Sequence, residues 1–218
     1  MIKPFVSDNL FEINYDAEII YDNIGNVVYI DNIFKNYDEI LDNVYNVNVE
    51  SWKKSSNSRN FIDYYDCRLY YMNHNSLSKD VNYFYNIMER YFNLENHDLS
   101  FEKSYTCNYF KNNIKGLKNN FQHYPHYDHA FNIIFYLDTV CDGGTIIYEN
   151  QTNWINKESD NLFCDIKDLK IEYIIKSKPN RAVIFNGNRL HGGYIENHDV
   201  YYYNWRINMV NFVEAVNK

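Results

Sequence analysis

From Phe101 to the end of the chain, β-prone runs are short and the gaps between them carry turn residues. The runs cover residues 104–110, 131–137, 145–149, 172–176, 181–185 and 201–213, and Asp142-Gly143-Gly144, Lys178-Pro179-Asn180 and Asn186-Gly187-Asn188 punctuate them. Strands this short cannot bury an apolar face alone. They have to close on one another as a sandwich or barrel.

The first hundred residues are patterned differently. Residues 17–21 and 27–30 read as a hairpin joined through Gly25 and Asn26. Asn36 with Glu39 resembles a capping box ahead of Ile40, Leu41 and Val44 at helical spacing. A polar loop is expected over 51–60 and a strand over 66–72. A second helix carries the stripe Leu77, Val81, Phe84, Tyr85, Met88 and Phe92, with Ser76 as its N-cap. No repeat or linker divides the chain. The expectation is one domain over 1–218, with a helix and strand support region at 1–100 and a β core at 101–213.

Charge and composition exclude several classes. With 29 acidic residues against 21 basic ones and a net charge of -8, no basic surface is available to follow a phosphate backbone, so nucleic acid is an unlikely partner. The longest apolar stretch, 133–137, is far shorter than the roughly 20 residues of a membrane-spanning helix. The first residues have no apolar run of signal-peptide length. Cys67, Cys107, Cys141 and Cys164 stand apart with no CxxC pair, so the cysteines suggest neither a zinc site nor a disulfide framework. A soluble protein of a reducing, cytoplasmic compartment is expected. The 35 Asn and 23 Tyr have AT-rich codons and reflect genome composition, as in AT-rich bacterial, viral or protist sources.

One segment carries chemistry. In QHYPHYDHAF, His126 and Asp128 are two apart, so in an extended chain they project from one face about 6.6 Å apart. A third ligand must come from elsewhere, and His191 in FNGNRLHGGY is the best candidate, flanked by glycines that allow close backbone approach. Two imidazoles and a carboxylate on one face of a metal leave positions open, the arrangement of non-haem Fe(II) centres.

HYD, IIFYLD, DGGTIIYE, KPNRAVIFNGNRLHGG and WRINMVNF follow one another over 121–212. Their order and spacing resemble the 2-oxoglutarate- and Fe(II)-dependent oxygenases, specifically the prolyl-4-hydroxylase-like branch. The resemblance implies a mainly β fold, a double-stranded β-helix (a cupin-like jelly roll) backed by N-terminal α-helices. It also implies an enzyme that uses Fe(II), 2-oxoglutarate and O₂ to hydroxylate a C–H bond of a peptide side chain, prolyl-type, or of a small molecule. His126, Asp128 and His191 would be the iron ligands. Arg206 would bind the far carboxylate of 2-oxoglutarate, with Tyr136 and Asn208 assisting. Strand alternation supports this placement, since Arg206, Asn208, Val210 and Phe212 share a face opposite Trp205, Ile207 and Met209. Asn132 and Ile134 should point inward with Tyr136.

The interval from His191 to Arg206, 15 residues, is longer than is usual in that family. Residues 196–202 are read as an enlarged loop, with Arg189 as the rival carboxylate partner. Blander readings stand beside these. Tyr136 is also a candidate core aromatic. His123 and His129 read as loop histidines, His74, His97 and His198 as solvated ones, and Arg68 as the partner of Asp63 or Asp66. Two other functions remain open: a cupin-like metalloenzyme that does not use 2-oxoglutarate, and a non-catalytic jelly-roll binding module. The loops 51–60 and 150–170 are expected to shape substrate choice. Oligomeric state is not legible in the chain.

Overall fold

The computed structural model describes residues 10–46, 53–54, 68–71, 77–107, 123–128, 130–149, 169–197, 199–204 and 206–218. β1 (Glu18–Asp22) and β2 (Val27–Asp31) form the expected hairpin. Its turn is held by the Asp22 carboxylate, which accepts from the backbone of Ile24 and Gly25, and by Asn26 in the left-handed region at φ 50°. α1 (Tyr37–Asn46) starts after Asn36, whose amide donates to the Glu39 carboxylate at 3.3 Å while its Oδ1 accepts from the Glu12 N–H at 3.2 Å, so the two residues meet side chain to side chain and not in the backbone pattern of a capping box. β3 (Lys53–Lys54) and β4 (Arg68–Tyr71) follow. A single 3₁₀ turn, Ser78–Asp80, leads into α2 (Val81–Phe92), which ends at Asn93 in the left-handed conformation that closes many helices.

The remaining strands are β5 (His97–Cys107), β6 (His123–His126), β7 (Phe131–Tyr136), β8 (Gly144–Tyr148), β9 (Ile171–Lys176), β10 (Arg181–Asn186), β11 (His191–Tyr194) and β12 (Asn208–Asn217). α3 (Val200–Tyr203) lies between β11 and β12. All pairings are antiparallel, in an eight-stranded sheet ordered β1-β2-β10-β7-β12-β5-β4-β3 and a four-stranded sheet ordered β6-β11-β8-β9. The protein is therefore mainly β, as expected.

Alternation along the central strands builds two cores. Val28, Ile30, Ile133, Phe135, Ala182, Ile184, Met209 and Val213 face outward from the large sheet and pack against Ile40 and Val44 of α1 and Phe84, Ile87 and Met88 of α2. Val27, Tyr29, Ile134, Tyr136, Val183 and Phe185 face the other way and meet Ile147 and Ile175 of the small sheet. Each fully buried side chain of this size contributes about 1.5–3 kcal/mol of transfer free energy. The central strands of the large sheet are thus buried on both faces, which explains the continuously buried pattern of β2 and β7.

Three expectations need correction. The helices do not form an N-terminal layer: β1 and β2 precede α1, strands separate α1 from α2, and α3 lies near the C-terminus. The strand expected over 201–213 is broken, because Val200–Tyr203 is helical and β12 starts only at Asn208. The strand expected from Ser104 begins seven residues earlier, at His97, and pairs with β12 over its length. Ser76, most of the 51–60 loop and residues 150–168 lie outside the described residues. Among the described residues, no helix is long and apolar enough to cross a membrane.

Candidate metal centre

β6 ends on His126 and β11 begins on His191, and the two residues are register partners on adjacent antiparallel strands. Their ring centroids lie 4.5 Å apart. Asp128 follows His126 by two residues. Its backbone N–H donates to the Gly187 carbonyl at 2.8 Å, while the Gly187 N–H donates to Ala130 at 3.0 Å, so the β10–β11 turn clamps the segment that carries the carboxylate. Gly187 has to be glycine for close approach: a Cβ there would lie 2.4 Å from the Ala130 carbonyl oxygen and 2.9 Å from Asp128 Cβ.

One potential ligand atom from each of His126, Asp128 and His191 lies within 4.8 Å of the other two. Asp128 Oδ2 is 3.1 Å from His191 Nε2 and 3.7 Å from His126 Nε2. His191 Nδ1 sits 2.7 Å from the Arg189 carbonyl, which can only accept, so Nδ1 carries the hydrogen. That leaves Nε2 to present its lone pair to Asp128. Two lone pairs facing one another at 3.1 Å repel unless a positive centre, a proton or a metal ion, is shared between them.

Burial pushes the Asp128 carboxyl up. With a proton shared at the contact with His191, that hydrogen bond and the charge of His126 outweigh burial and hold the carboxyl below its ordinary range. Two imidazoles and an ionised carboxylate make a donor set that can hold a divalent transition ion. The site opens on one side: the His191 side chain is 4% exposed and that of His126 is 33%.

Asn132, on β7, contributes a contact that strand phase placed in the interior but did not explain. Its Nδ2 donates to Asp128 Oδ2 at 2.7 Å and lies 3.1 Å from His191 Nε2. Four residues along the same face is Tyr136, about 13 Å away at roughly 3.3 Å per residue. Its hydroxyl lies 3.0 Å from Thr145 Oγ1, and burial pushes the phenol up to about 12 against the pull of Thr145 and Arg206.

Tyr136 is the register partner of Asn208, whose Oδ1 is buried without a hydrogen-bond partner. Arg206 is 4% exposed and donates to the Gly144 carbonyl of the small sheet at 2.8 Å, so it reaches across between the sheets. The expected alternation holds at this point: Ile207 and Met209 join the outer core while Val210 packs on the inner one. Tyr136, Asn208 and Arg206 therefore lie together between the two sheets, a buried floor four residues along β7 from Asn132, which touches the mouth formed by His126, Asp128 and His191.

Arg189 does not reach that floor. Its guanidinium bonds the Gly25 carbonyl and pairs with Glu172 at 2.8 Å, tying the β1–β2 turn to β9. Residues 196–202, read as an enlarged loop, instead lead into α3 and bury Tyr201. The Tyr201 hydroxyl accepts from the Asp142 N–H at 2.9 Å and donates to Asp138 at 3.3 Å. Burial raises the Asp138 carboxyl, and its second oxygen accepts from the Ile207 N–H at 3.4 Å. Tyr201 thus packs beside the floor, and its partner Asp138 steadies the backbone next to Arg206.

Thr145, Asp138, Tyr201 and Gly187 were not legible as site residues. The turn glycine and the Tyr-Leu-Asp end of β7 were their only sequence signals. His123 opens β6, and His97, expected in solvent, is half-buried at the start of β5. His74, His129, His198 and the side chain of Arg68 lie outside what is described. No family model matches the sequence, and no curated protein matches it.

Proposed function

We propose that this chain is a 2-oxoglutarate- and Fe(II)-dependent oxygenase built on a double-stranded β-helix. The observation that carries the reading is the pairing of a converged His126–Asp128–His191 set with a buried Arg206 that bridges the same two sheets. The strand order supports the fold. From β5 to β12 the chain changes sheets at each connection except the β8–β9 hairpin, giving β5-β12-β7-β10 opposite β6-β11-β8-β9.

His126, Asp128 and His191 would hold the iron, and Arg206, Tyr136 and Asn208 the far carboxylate of 2-oxoglutarate. The chemistry supplied by such a pair with O₂ is oxidative decarboxylation to succinate and CO₂ coupled to hydroxylation of a substrate C–H bond. The chain's own residues do the rest. The Arg189 carbonyl fixes the His191 tautomer, so that Nε2 faces the metal position. Arg206 offers a fixed, always-charged fork, which a carboxylate matches better than any neutral donor would. Ile134 lies between Asn132 and Tyr136 on one face of β7 and packs with Ile147 and Phe185, an apolar core that keeps water from both ends. The partly exposed His126 side leaves room for a peptide side chain or small molecule to approach.

Anaerobic addition of Fe(II) and 2-oxoglutarate tests this reading. A visible metal-to-ligand charge-transfer band is expected, together with O₂-dependent succinate release, and both should be lost in His126→Ala. Metal binding with no band and no succinate would overturn it in favour of a cupin-like metalloenzyme that does not use 2-oxoglutarate. Absence of metal binding would leave a non-catalytic jelly-roll module.

A further inference from the structure

We infer that Asn132 is a positioning residue that assembles the metal site before any metal arrives, an inference that rests on the metal-binding reading above. Asn132 is 1% exposed and lies on β7 in the large sheet. Asp128 lies in the connection between β6 and β7, and His191 opens β11 in the small sheet. The Asn132 amide nitrogen, Asp128 Oδ2 and His191 Nε2 form a triangle with sides of 2.7, 3.1 and 3.1 Å. One donor therefore sits against two acceptors whose lone pairs would otherwise repel. The amide nitrogen, held on the large sheet, lets a carboxylate from the β6–β7 connection and an imidazole from the small sheet converge while the site waits for a cation.

The other half of the amide supports the assignment. Asn132 Oδ1 is buried with no hydrogen-bond partner, and a Cβ on Gly187 would lie 3.2 Å from it. An unpaired buried carbonyl is destabilising, so nothing about this oxygen favours an amide here. An apolar residue of similar size would avoid that cost, and Ile134, Tyr136 and Phe185 show that the inner core accepts such residues. What the amide gains is the bond to Asp128. When a metal takes the His191 lone pair, that bond remains and keeps Asp128 Oδ2 aimed inward.

The test is titration of the metal-free, full-length protein with Co(II), followed by calorimetry and by the visible d–d spectrum, in wild type, Asn132→Leu and Asn132→Ala. Leu keeps the volume and removes the donor. Both variants are expected to bind Co(II) about 10- to 100-fold more weakly, the range for loss of an outer-shell partner, and with an altered d–d spectrum. A merely structural role would lower thermal stability and leave the spectrum unchanged. The Co(II)-induced rise in Tm reads the same affinity even in a destabilised variant. Wild-type binding matched by both variants in affinity and spectrum overturns the role of Asn132 and leaves the metal site standing. No binding by the wild type overturns the metal reading itself.

Discussion

At the mouth of the inter-sheet space, three side chains from β6, the segment after it and β11 turn lone pairs toward one point, and one of them is a third exposed. At the floor, four residues along β7, a buried guanidinium and a buried phenol face the same space, and solvent is excluded. One end gathers acceptors that suit a cation, and the other presents a buried guanidinium. On the proposed reading, that asymmetry would suit a small ligand that chelates at one end and carries a carboxylate at the other. It also makes the two ends separable by experiment, because they share β7 but no side chain.

The largest expected effect comes from breaking the mouth. His191→Ala removes a ligand and the anchor to the Arg189 carbonyl together, so Co(II) affinity should fall by more than the roughly 10- to 100-fold that outer-shell partners cost. Binding isotherms measure this directly. Retention of wild-type affinity would mean that the convergence of the three side chains holds no metal.

Arg206→Met tests the other end. Losing hydrogen bonds to a charged partner costs about 1.5–3 kcal/mol, which corresponds to roughly 10- to 150-fold weaker 2-oxoglutarate binding. Co(II) affinity in the absence of 2-oxoglutarate should stay within about twofold of wild type. If both affinities fell together, the mouth and floor would be one cooperative unit and the comparison would fail.

Gly187→Ala asks how the mouth is held. The added Cβ would meet the Ala130 carbonyl at 2.4 Å, so the segment carrying Asp128 has to move. Overpacking of this kind costs about 1–3 kcal/mol. The melting temperature should drop, and metal affinity should weaken with it, while the floor is untouched. A lower Tm with unchanged Co(II) affinity would show that the clamp serves the fold alone.

The same contrast explains what was legible in the sequence. His126 and Asp128 were readable because both lie on one extended stretch, where a two-residue spacing fixes a shared face. His191 was readable from its glycine context, but its register opposite His126 is a long-range property that no local pattern encodes. At the floor, alternation placed Tyr136 and Asn208 correctly because β7 and β12 are regular there. It failed over 200–203, where four residues are too few to show a helical period and Tyr201 is buried by its bonds to Asp138 and Asp142. Asn132 shows the limit most clearly. Its phase was right, but its partners sit on a neighbouring segment and on the opposite sheet. α1 and α2 were found individually, but their interleaving with strands of the large sheet depends on pairings such as β2 with β10, far apart in the chain.

The smallest expected effect separates Arg206 from a second arginine, Arg181, which pairs in register with Tyr136. Arg181 is gripped by a carboxylate: Nε and Nη2 contact the two oxygens of Asp31 at 2.6 and 3.0 Å, with Lys178 adding a contact at 2.7 Å. The bond from Arg181 holds the Asp31 carboxyl below its ordinary value of 3.8, against the opposing effect of burial. Because the folded pKa is the lower one, this pair stabilises the fold fully above the unfolded pKa, and the contribution is lost as pH falls through the folded value. Lys178 is half exposed and adds little. Asp31→Asn keeps one acceptor, so a loss of about 1 kcal/mol at pH 7 is expected. Thermal unfolding from pH 7 to pH 2 should show the wild-type curve converging on the variant curve below the carboxylate range. With its own counter-ion, Arg181 has no call on a ligand carboxylate, so 2-oxoglutarate affinity should not change in Asp31→Asn. An increase would mean that a released Arg181 competes with Arg206 for the anion, and that the floor is selective only because Asp31 keeps the second cation occupied.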